Sequence, residues 1–479
     1  MASYNSPGVY IQDMVSGVQS ITQASSSIGA LIGATRSGVV GEAQLVSSFT
    51  EFLNLYANGL DTGFMPNSDL PYAVHGFFTN GGQQLYVVRV ASKSAKAATI
   101  TTESGITATA KSVGKWGNDL KVSIDKSADW AEENLIYDVT VSLGTSDSAT
   151  IKEVTLATLV SSVTSNSKIK NWFEEFSINT EKYTAIAKES FSLSGGEDGV
   201  DDLVDNDFVT ALNALDVLDD VTLVGIPAQT SNVINDALMA YCDNHNLFPI
   251  LDMPIGSTVK QAKEYRKSIS AKGGCLVYPW GNVSDPLTNG LRTVPACGHV
   301  MGVYSRTIEE RGVHKAPAGT NAVVRGFVST EIKLTKSDVD VLNPVGVVCI
   351  MSRPNAGIVI WGARSLSTDS TMKYVSDVLI NYNIKRSLYN GTQYAVFEPN
   401  DEKLWSNVKG TCKGFLESLR LQGTLKGSKD EAYYVTVDSS NNTDATIAEG
   451  QLNIEIGYAP VKPAEFVVIK LAHSISSAE

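Results

Sequence analysis

The regular alternation of helical and strand patterns between Asp207 and Tyr278 is the feature that most constrains the fold of this chain. Three segments with apolar residues at helical spacing are each followed by a short apolar run. The helical segments cover residues 207–218, 231–244 and 258–270, and the apolar runs cover residues 221–226, 248–251 and 275–278. Strands that alternate with helices of about ten to fifteen residues favour parallel crossover units. The pattern predicts a doubly wound α/β sheet.

Many enzymes use this architecture, so a catalytic set of residues is one possibility for this chain. Ligands of an open parallel sheet bind beyond the carboxyl ends of its strands. Here those ends are followed by Pro227, Asp252, and Pro279 with Trp280. Asp252, His299 and Ser305 contain the groups of a hydrolase triad, but the chain has no G-x-S-x-G elbow and its five histidines leave the choice of base arbitrary. An α/β hydrolase is therefore kept only as an alternative.

Composition excludes several classes of protein. The chain has 479 residues, enough for two to four domains, and 43% of them are hydrophobic while 19% are charged, as in ordinary globular proteins. A net charge of −13 argues against a nucleic-acid binder. The absence of a long apolar run and of a signal-peptide pattern predicts a chain that is neither membrane-inserted nor secreted through a signal peptide.

Cysteine usage predicts neither disulfides nor a metal site. The five cysteines are odd in number, and none has the close spacing of a metal knuckle. They are Cys242, Cys275, Cys297, Cys349 and Cys412. We expect reduced core residues, because free cysteines behave mostly as small buried hydrophobes.

An inserted β-rich domain is predicted where the composition changes at Ala91. The segments Leu120–Ile124 and Ile136–Leu143 alternate apolar and polar residues, as half-exposed strands do. The segments Leu156–Ser162 and Ile169–Phe176 are predicted to be short helices.

Both ends of the chain carry short apolar segments without an obvious partner. Near the start, Val9, Tyr10 and Ile11 follow a Pro-Gly pair and have high strand preference. Near the end, an apolar strand is predicted over Phe466, Val467, Val468, Ile469 and Leu471, with apolar residues on both faces. The N-terminal segment is either an edge strand of its own domain or an arm that adds to a sheet of another subunit. The C-terminal strand would favour aggregation if it were left unpaired, so we expect it to be captured.

The stretch from Tyr389 to Gly423 predicts a strand, a cap and an amphipathic helix. Thr392–Phe397 is rich in strand-forming residues after an Asn-Gly turn signal, Asn400 is the predicted N-cap, and Gly423 is the predicted helix stop. The apolar stripe of the helix consists of Leu404, Val408, Cys412, Phe415 and Leu419. Roughly opposite it lie the basic residues Lys403, Lys409, Lys413 and Arg420, which form either a solvated face or a docking surface for an acidic partner.

Several runs resemble the contractile tail sheath proteins of phages and related injection machines. WGARSLS at 361–367, YNGTQYAVFEPNDEKLW at 389–405 and GYAPVKPAEFVVIKL at 457–471 are similar to the C-terminal domain of that family. PGVYIQD at 7–13 resembles its N-terminal arm, and the run at 294–319 resembles its central signature. The resemblance implies a multidomain α/β fold: a doubly wound, subtilisin-like central sheet without its chemistry, an inserted β-rich domain, and an α+β C-terminal domain with strand-donating terminal arms.

The resemblance also implies a domain order and a function. The expected order is an N-terminal arm (1–26), the N-terminal part of the core (27–95), the insertion (96–195), the central α/β domain (196–355), and the C-terminal domain (356–479) with its arm from about 458. The expected function is that of a structural subunit, not an enzyme and without a cofactor. It would polymerise around an inner tail tube protein and contract to drive the tube through a cell envelope, with arms exchanged between subunits.

Further partners and an alternative follow from the same resemblance. Baseplate and tail terminator proteins are expected as partners, and the basic helix face is the candidate tube contact. The expected location is the virion tail or a phage-like particle, assembled in the host bacterial cytoplasm. A non-contractile tail or baseplate protein is a further alternative, since it would share the arms but lack two helical lattices.

Overall fold

The computed structural model describes residues 20–58, 63–130, 135–145, 147–179 and 188–469. The chain divides into two compact units. The core unit contains Ser25–Leu379, and the C-terminal unit contains Ile380 onward together with the described residues up to Ala24. The five predicted domain boundaries remain predictions.

The strands and helices of the described residues are numbered in chain order. The strands are β1 (Gly29–Gly33), β2 (Ala43–Val46), β3 (Leu85–Arg89), β4 (Thr99–Thr101), β5 (Ile106–Ala110), β6 (Leu120–Lys126), β7 (Ile136–Leu143), β8 (Asp147–Thr155), β9 (Phe173–Ile178), β10 (Lys188–Ser192), β11 (Leu223–Gly225), β12 (Phe248–Asp252), β13 (Cys275–Tyr278), β14 (Gly281–Asp285), β15 (Gly290–Val294), β16 (Ser329–Thr330), β17 (Val347–Arg353), β18 (Gly357–Ile360), β19 (Tyr433–Thr436) and β20 (Glu455–Tyr458). The helices are α1 (Phe49–Tyr56), α2 (Leu70–Thr79), α3 (Leu156–Ser165), α4 (Asp205–Ala211), α5 (Asn232–His245), α6 (Val259–Lys267), α7 (Cys297–Arg311), α8 (Lys336–Leu342), α9 (Val375–Gly391), α10 (Glu402–Leu421), α11 (Lys429–Ala432) and α12 (Asp444–Ala448).

A mostly parallel sheet forms the centre of the core unit. Its strands lie in the order β18-β17-β13-β12-β11-β1-β3-β2, and only the two edge strands, β18 and β2, run antiparallel to their neighbours. Apolar residues from α4, α5, α6 and α8 pack on one face of this sheet. On the other face, α7 contacts β1, β11 and β12. The strands predicted at 248–251 and 275–278 are confirmed, and the structure has a mixed α/β fold with several sheets.

The region predicted as an inserted domain has its own hydrophobic core. Its strands form a four-stranded sheet, β10-β6-β7-β8, and a three-stranded sheet, β4-β5-β9, with α3 packed on β8 and β9. The strands at 120–124 and 136–143 and the helix at 156–162 are confirmed. The helix predicted at 169–176 is wrong. Residues 173–178 form β9, because pairing with β5 buries Phe173 and Phe176 in this core.

The C-terminal unit contains α10 and a two-stranded antiparallel sheet of β19 and β20. The strand predicted at Thr392–Phe397 is wrong: α9 continues through the predicted Asn390-Gly391 turn, and a 3₁₀ turn covers Gln393–Ala395. The Thr392 amide donates to the Leu388 carbonyl (2.9 Å), so the preceding helix already satisfies this backbone. None of the helices in the described residues is long and apolar enough to cross a membrane.

Candidate functional site

The carboxyl end of β12 carries Asp252, the acidic residue of the hypothetical triad. Its Oδ1 accepts hydrogen bonds from the amides of Ala296 and Cys297 (both 2.9 Å), and its Oδ2 accepts one from the Ala228 amide (3.2 Å). Burial raises the pKa of Asp252 to about 6 although these bonds oppose the shift. The carboxylate therefore joins β12 to the N-terminus of α7 and to the loop after β11.

His299 and Ser305 do not complete a triad with Asp252. Both lie on α7, six residues apart, so at about 100° per residue they point in different directions. His299 Nδ1 and Ser305 Oγ are buried, and neither has a hydrogen-bond partner among the described residues. Burial lowers the pKa of His299 to about 3, and its ring packs against Phe327 with centroids 4.4 Å apart. These contacts are those of a packed helix.

All five cysteines are free and buried, as predicted. Burial raises the pKa of Cys275 and Cys349 to about 12 and that of Cys412 to about 11, and it raises the pKa of Cys242 and Cys297 well above the usual value. A thiol that stays protonated is neither a nucleophile nor a metal ligand. In the part of the chain that the structure describes, no cluster of His, Cys, Asp and Glu is suited to hold a metal ion.

Helix α10 forms as an amphipathic helix with a buried stripe. All five predicted stripe residues are buried. The N-cap is Asp401 rather than the predicted Asn400, because the Asp401 side chain accepts from the Leu404 amide (2.8 Å) while Asn400 accepts from the Trp405 indole (2.7 Å). Gly423 has φ +80°, as expected of the residue that ends a helix in the left-handed region.

Two of the four cations on the basic face of α10 already have acidic partners. Lys409 Nζ lies 3.0 Å from Asp438 Oδ2, and Arg420 donates two hydrogen bonds to Glu417 (2.8 and 2.9 Å). The Arg420 bonds are the first cause of a Glu417 pKa of about 2. The remaining two cations, Lys403 and Lys413, are exposed and have no ion pair within the described ranges.

Beside the β19–β20 sheet lies an apolar groove. Its volume is about 410 Å³, and its lining includes Ile384, Leu388 and Tyr389 from α9 and Ile456 and Tyr458 from β20. The Tyr458 hydroxyl bonds to Asn381 (2.9 Å), which ties β20 to α9. We name this feature the α9–β20 groove.

Residues 466–469 of the apolar C-terminal segment lie outside every strand that the structure describes. The exposed fractions of Phe466, Val467, Val468 and Ile469 are 71%, 82%, 76% and 77%. The predicted strand is therefore unpaired over these four residues. Leu471 and the N-terminal residues Val9, Tyr10 and Ile11 lie outside the described residues.

One contact in the C-terminal unit was missed from the sequence. The Gln23 side chain donates to Asn383 (3.1 Å), and the Ala24 amide donates to the Ser387 hydroxyl (2.9 Å). Asn383 returns a bond to the Ala24 carbonyl (2.8 Å), so residues 20–24 lie along α9. Two polar residues four positions apart on a buried helix face, Asn383 and Ser387, were the available signal.

Family models and curated relatives agree on one family. The phage tail sheath protein central domain matches residues 202–366, and the phage tail sheath C-terminal domain matches residues 367–472, together more than half of the chain. The tail sheath protein of Escherichia phage P2 is 22% identical over 275 residues, which cover 56% of this chain and 68% of the relative. The putative prophage major tail sheath protein of Pseudomonas aeruginosa UCBPP-PA14 is 27% identical over 45% of this chain and 55% of the relative. The tail sheath protein of Burkholderia phage BcepMu is 28% identical over 49% of this chain and 51% of the relative. The matched segments therefore span about half the length of these two relatives.

Solved structures with the same fold are sheath proteins as well. The sheath complex of an extracellular contractile injection system, PVC, in the contracted state aligns with TM-score 0.60 and 20% identity and covers 100% of both chains. A sheath tail protein of Desulfitobacterium hafniense aligns with TM-score 0.65 and 14% identity over 90% of this chain and 94% of the other. These structural alignments show a shared fold. The two matched family models assign the sequence to a family. The chain belongs to the phage tail sheath protein family.

Proposed function

We propose that this chain is the structural subunit of a contractile sheath that polymerises around an inner tube and shortens to drive the tube through a cell envelope. The observation that carries the proposal is the exposed apolar segment Phe466–Ile469 in a member of the tail sheath family. Burying one such side chain contributes about 1.5–3 kcal/mol, so the segment gains most when another subunit covers it. The proposed location is a virion tail or phage-like particle assembled in the host cytoplasm.

The β19–β20 sheet of a neighbouring subunit is the proposed acceptor for this segment. A two-stranded sheet is marginal alone, and strands added at its open edges extend its hydrogen bonding. A strand that carries apolar residues on both faces needs cover on both sides. The α9–β20 groove supplies apolar cover next to this sheet.

The N-terminal arm is proposed to leave the subunit at the C-terminal end of α9. Going backwards along the chain, Ala24 contacts Asn383 and Ile21 lies beside Gly391. At Gly391 the Ile21 side chain fills the space that the Cβ of a larger residue at position 391 would occupy. Val9, Tyr10 and Ile11, the proposed donated strand, lie upstream of this point. Both arms would then connect neighbouring C-terminal units into a mesh.

Contraction is proposed to be a change between two packings of such a mesh. The extended lattice would be held by the inner tube and the contracted one would be lower in free energy, so no nucleotide, cofactor or catalysis is required. The central sheet is proposed to be the doubly wound, subtilisin-like scaffold. Baseplate and tail terminator proteins are the proposed partners at the two ends of the sheath.

Helix α10 remains the proposed tube contact, but its four cations differ in whether they already have an acidic partner. Lys403 and Lys413 are the proposed contact residues, whereas Lys409 and Arg420 are engaged by Asp438 and Glu417. A polar, screened contact of this kind can be released more readily than a large apolar one.

Electron microscopy of the purified chain tests the proposal. We expect long hollow cylinders from the intact chain, and none after deletion of residues 1–15 or of residues 466–479. Circular dichroism and thermal unfolding of the two truncated chains check that the units still fold. A folded intact chain that stays monomeric over a wide range of concentration and salt would contradict self-assembly.

A further inference from the structure

Helix α6 of the core unit carries a face of lysines. Lys260, Lys263 and Lys267 fall within about 60° of one another at 100° per residue, and Lys272 follows the helix. Lys260, Lys267 and Lys272 are exposed, and Lys263 is half-buried. The one acidic residue among them is Glu264. We name these four lysines the α6 lysine face.

The potential at this face is positive. The pKa of Glu264 is lowered first by its hydrogen bonds with Lys267 (2.9 and 3.1 Å) and by the charge of Lys267, and then by the charges of Lys263 and Lys260. Within the described ranges, Lys260, Lys263 and Lys272 have no ion pair. On α10, by contrast, acidic residues pair with Lys409 and Arg420.

The inner face of α6 is fixed to the fold independently of these lysines. Ala262 is fully buried, and the buried Arg266 guanidinium donates to the carbonyls of Ile269 (2.7 Å) and Leu366 (2.6 Å). Three of these lysines, Lys260, Lys263 and Lys272, have no ion pair among the described residues, and together with Lys267 they form a surface suited to an acidic partner.

An acidic surface, opposite in charge to the α6 lysine face, lies in the same core unit. The segment 197–207 contains six carboxylates, Glu197, Asp198, Asp201, Asp202, Asp205 and Asp207. Asp201 and Asp202 are exposed, and their hydrogen-bond donors among the described residues are neutral: Asn67 (3.0 Å) and Ser94 (2.6 Å). Within this segment, Glu197 forms an ion pair with Lys115 at 3.9 Å, and both of these side chains are more than half exposed.

We propose that the α6 lysine face docks on the acidic segment 197–207 of a second copy of this chain. Two chains of net charge −13 repel each other unless opposite charges meet locally, and these two surfaces supply such a match. Each of the two surfaces also has an exposed apolar residue close to it in the sequence, as expected of a contact between proteins. Exposed Ile255 precedes α6, and exposed Val204 lies within the acidic segment (58% and 59% exposed).

The contact is heterologous, because its two halves are different surfaces. Segment 197–207 leads into α4, which packs on α5, while α6 packs on α8. A head-to-tail contact between two different surfaces adds subunits in an open helix whenever its rotation does not close a ring, which is the kind of contact a helical lattice needs. The inference rests on the proposed sheath function and names a core-to-core contact in addition to the arms.

A charge-swap experiment tests the contact. The first variant carries Lys260→Glu, Lys263→Glu and Lys272→Glu, which leaves the Glu264–Lys267 pair intact. The second adds Asp201→Lys and Asp202→Lys. The control carries Lys121→Glu, Lys152→Glu and Lys170→Glu, three exposed lysines of the inserted region, and has the same net charge as the first variant. Sedimentation measures the protein concentration at half-maximal assembly, and circular dichroism checks folding.

We expect the first variant to need a concentration roughly tenfold or more above that of the intact chain, since several charge pairs become repulsive. The control should assemble at nearly the concentration of the intact chain. The second variant should recover most of the assembly that the first variant loses. Assembly of the first variant like the intact chain, an equal loss in the control, or no recovery in the second variant would each overturn the contact. If the intact chain itself never assembles, the sheath proposal fails first.

Discussion

Strand β13 and the segment Phe466–Ile469 have similar compositions and opposite environments. The four residues of β13, CLVY, are at most 1% exposed between β12 and β17. The four residues of the terminal segment, FVVI, are 71–82% exposed and outside any strand. An apolar run therefore predicts that a segment must be covered, but it leaves open which chain provides the cover.

The largest effect should come from charges placed in the terminal segment. Val467→Asp with Ile469→Asp should abolish cylinder formation, because two carboxylates would have to be buried without partners in the neighbouring subunit. The free energy of unfolding should stay within about 0.5 kcal/mol of the original value, since both side chains are exposed in the subunit. Electron microscopy and urea unfolding measure the two quantities.

The matched control places the same charges on exposed apolar residues elsewhere. Val217→Asp with Val328→Asp alters side chains that are 84% and 62% exposed, and it should leave assembly intact. Cylinders from the variant with the altered terminal segment would show that this segment is not captured.

The reverse result is expected for β13. Leu276→Ala removes a fully buried side chain between β12 and β17 and should lower the free energy of unfolding by about 2–5 kcal/mol. Val467→Ala, its counterpart in the terminal segment, should leave the free energy of unfolding unchanged. Urea titrations of the two variants provide the comparison, and equal losses would mean that the terminal segment packs on its own subunit.

The same contrast explains how much of the fold was predictable. The run Cys275–Tyr278 and the helix before it were located from the sequence because a parallel strand is apolar on both faces and its crossover helix has a 3.6-residue period. Thr392–Phe397 has the composition of a strand as well. It is not one, because α9 runs into it and satisfies its backbone. Local preference is a weak predictor where a neighbouring element supplies the hydrogen bonds.

Candidate surfaces were predicted less well than strands, for a related reason. Helical spacing predicts that Lys403, Lys409, Lys413 and Arg420 share one side of α10. It does not reveal Asp438, which pairs with Lys409 and comes from a segment 29 residues later in the chain. Spacing along one helix cannot reveal a partner from another element. Three of the four lysines of the α6 lysine face fall within eight residues, but the apolar residues of the same segment already predict a helix that packs on the sheet, and that pattern does not distinguish a binding face from a solvated one.

A smaller effect is expected from Asp252 at the end of β12, the neighbour of β13. Burial raises its pKa in the folded chain from 3.8 to about 6, so the unfolded chain ionises first as the pH rises. The stability that the acid contributes is complete below pH 3.8 and is lost as the pH passes about 6. Relative to Asp252→Asn, which does not titrate, the intact chain should lose about 2–3 kcal/mol between pH 4 and pH 7.5.

Urea unfolding of the two chains at both pH values measures this difference, with residues 1–15 deleted from each to prevent assembly. The Asn substitution also changes the bond to Ala228, but that change is independent of pH and cancels in the comparison. A constant difference between the two chains would mean that water or structural relaxation keeps the carboxyl at its ordinary pKa.

The smallest expected effect is on tube binding, and it should differ between a cation of α10 that has an acidic partner and one that has none among the described residues. Lys413→Ala should weaken co-sedimentation with inner tubes of the same particle by about twofold to fivefold and leave the thermal midpoint of the subunit unchanged, because Lys413 is exposed without an ion pair in the described part of the chain. Lys409→Ala should lower the thermal midpoint slightly and leave tube binding nearly unchanged, because Asp438 already holds that cation. If Lys409→Ala weakens tube binding more than Lys413→Ala does, the Asp438 pair must open on the tube, and the contact face would be centred on Lys409 instead.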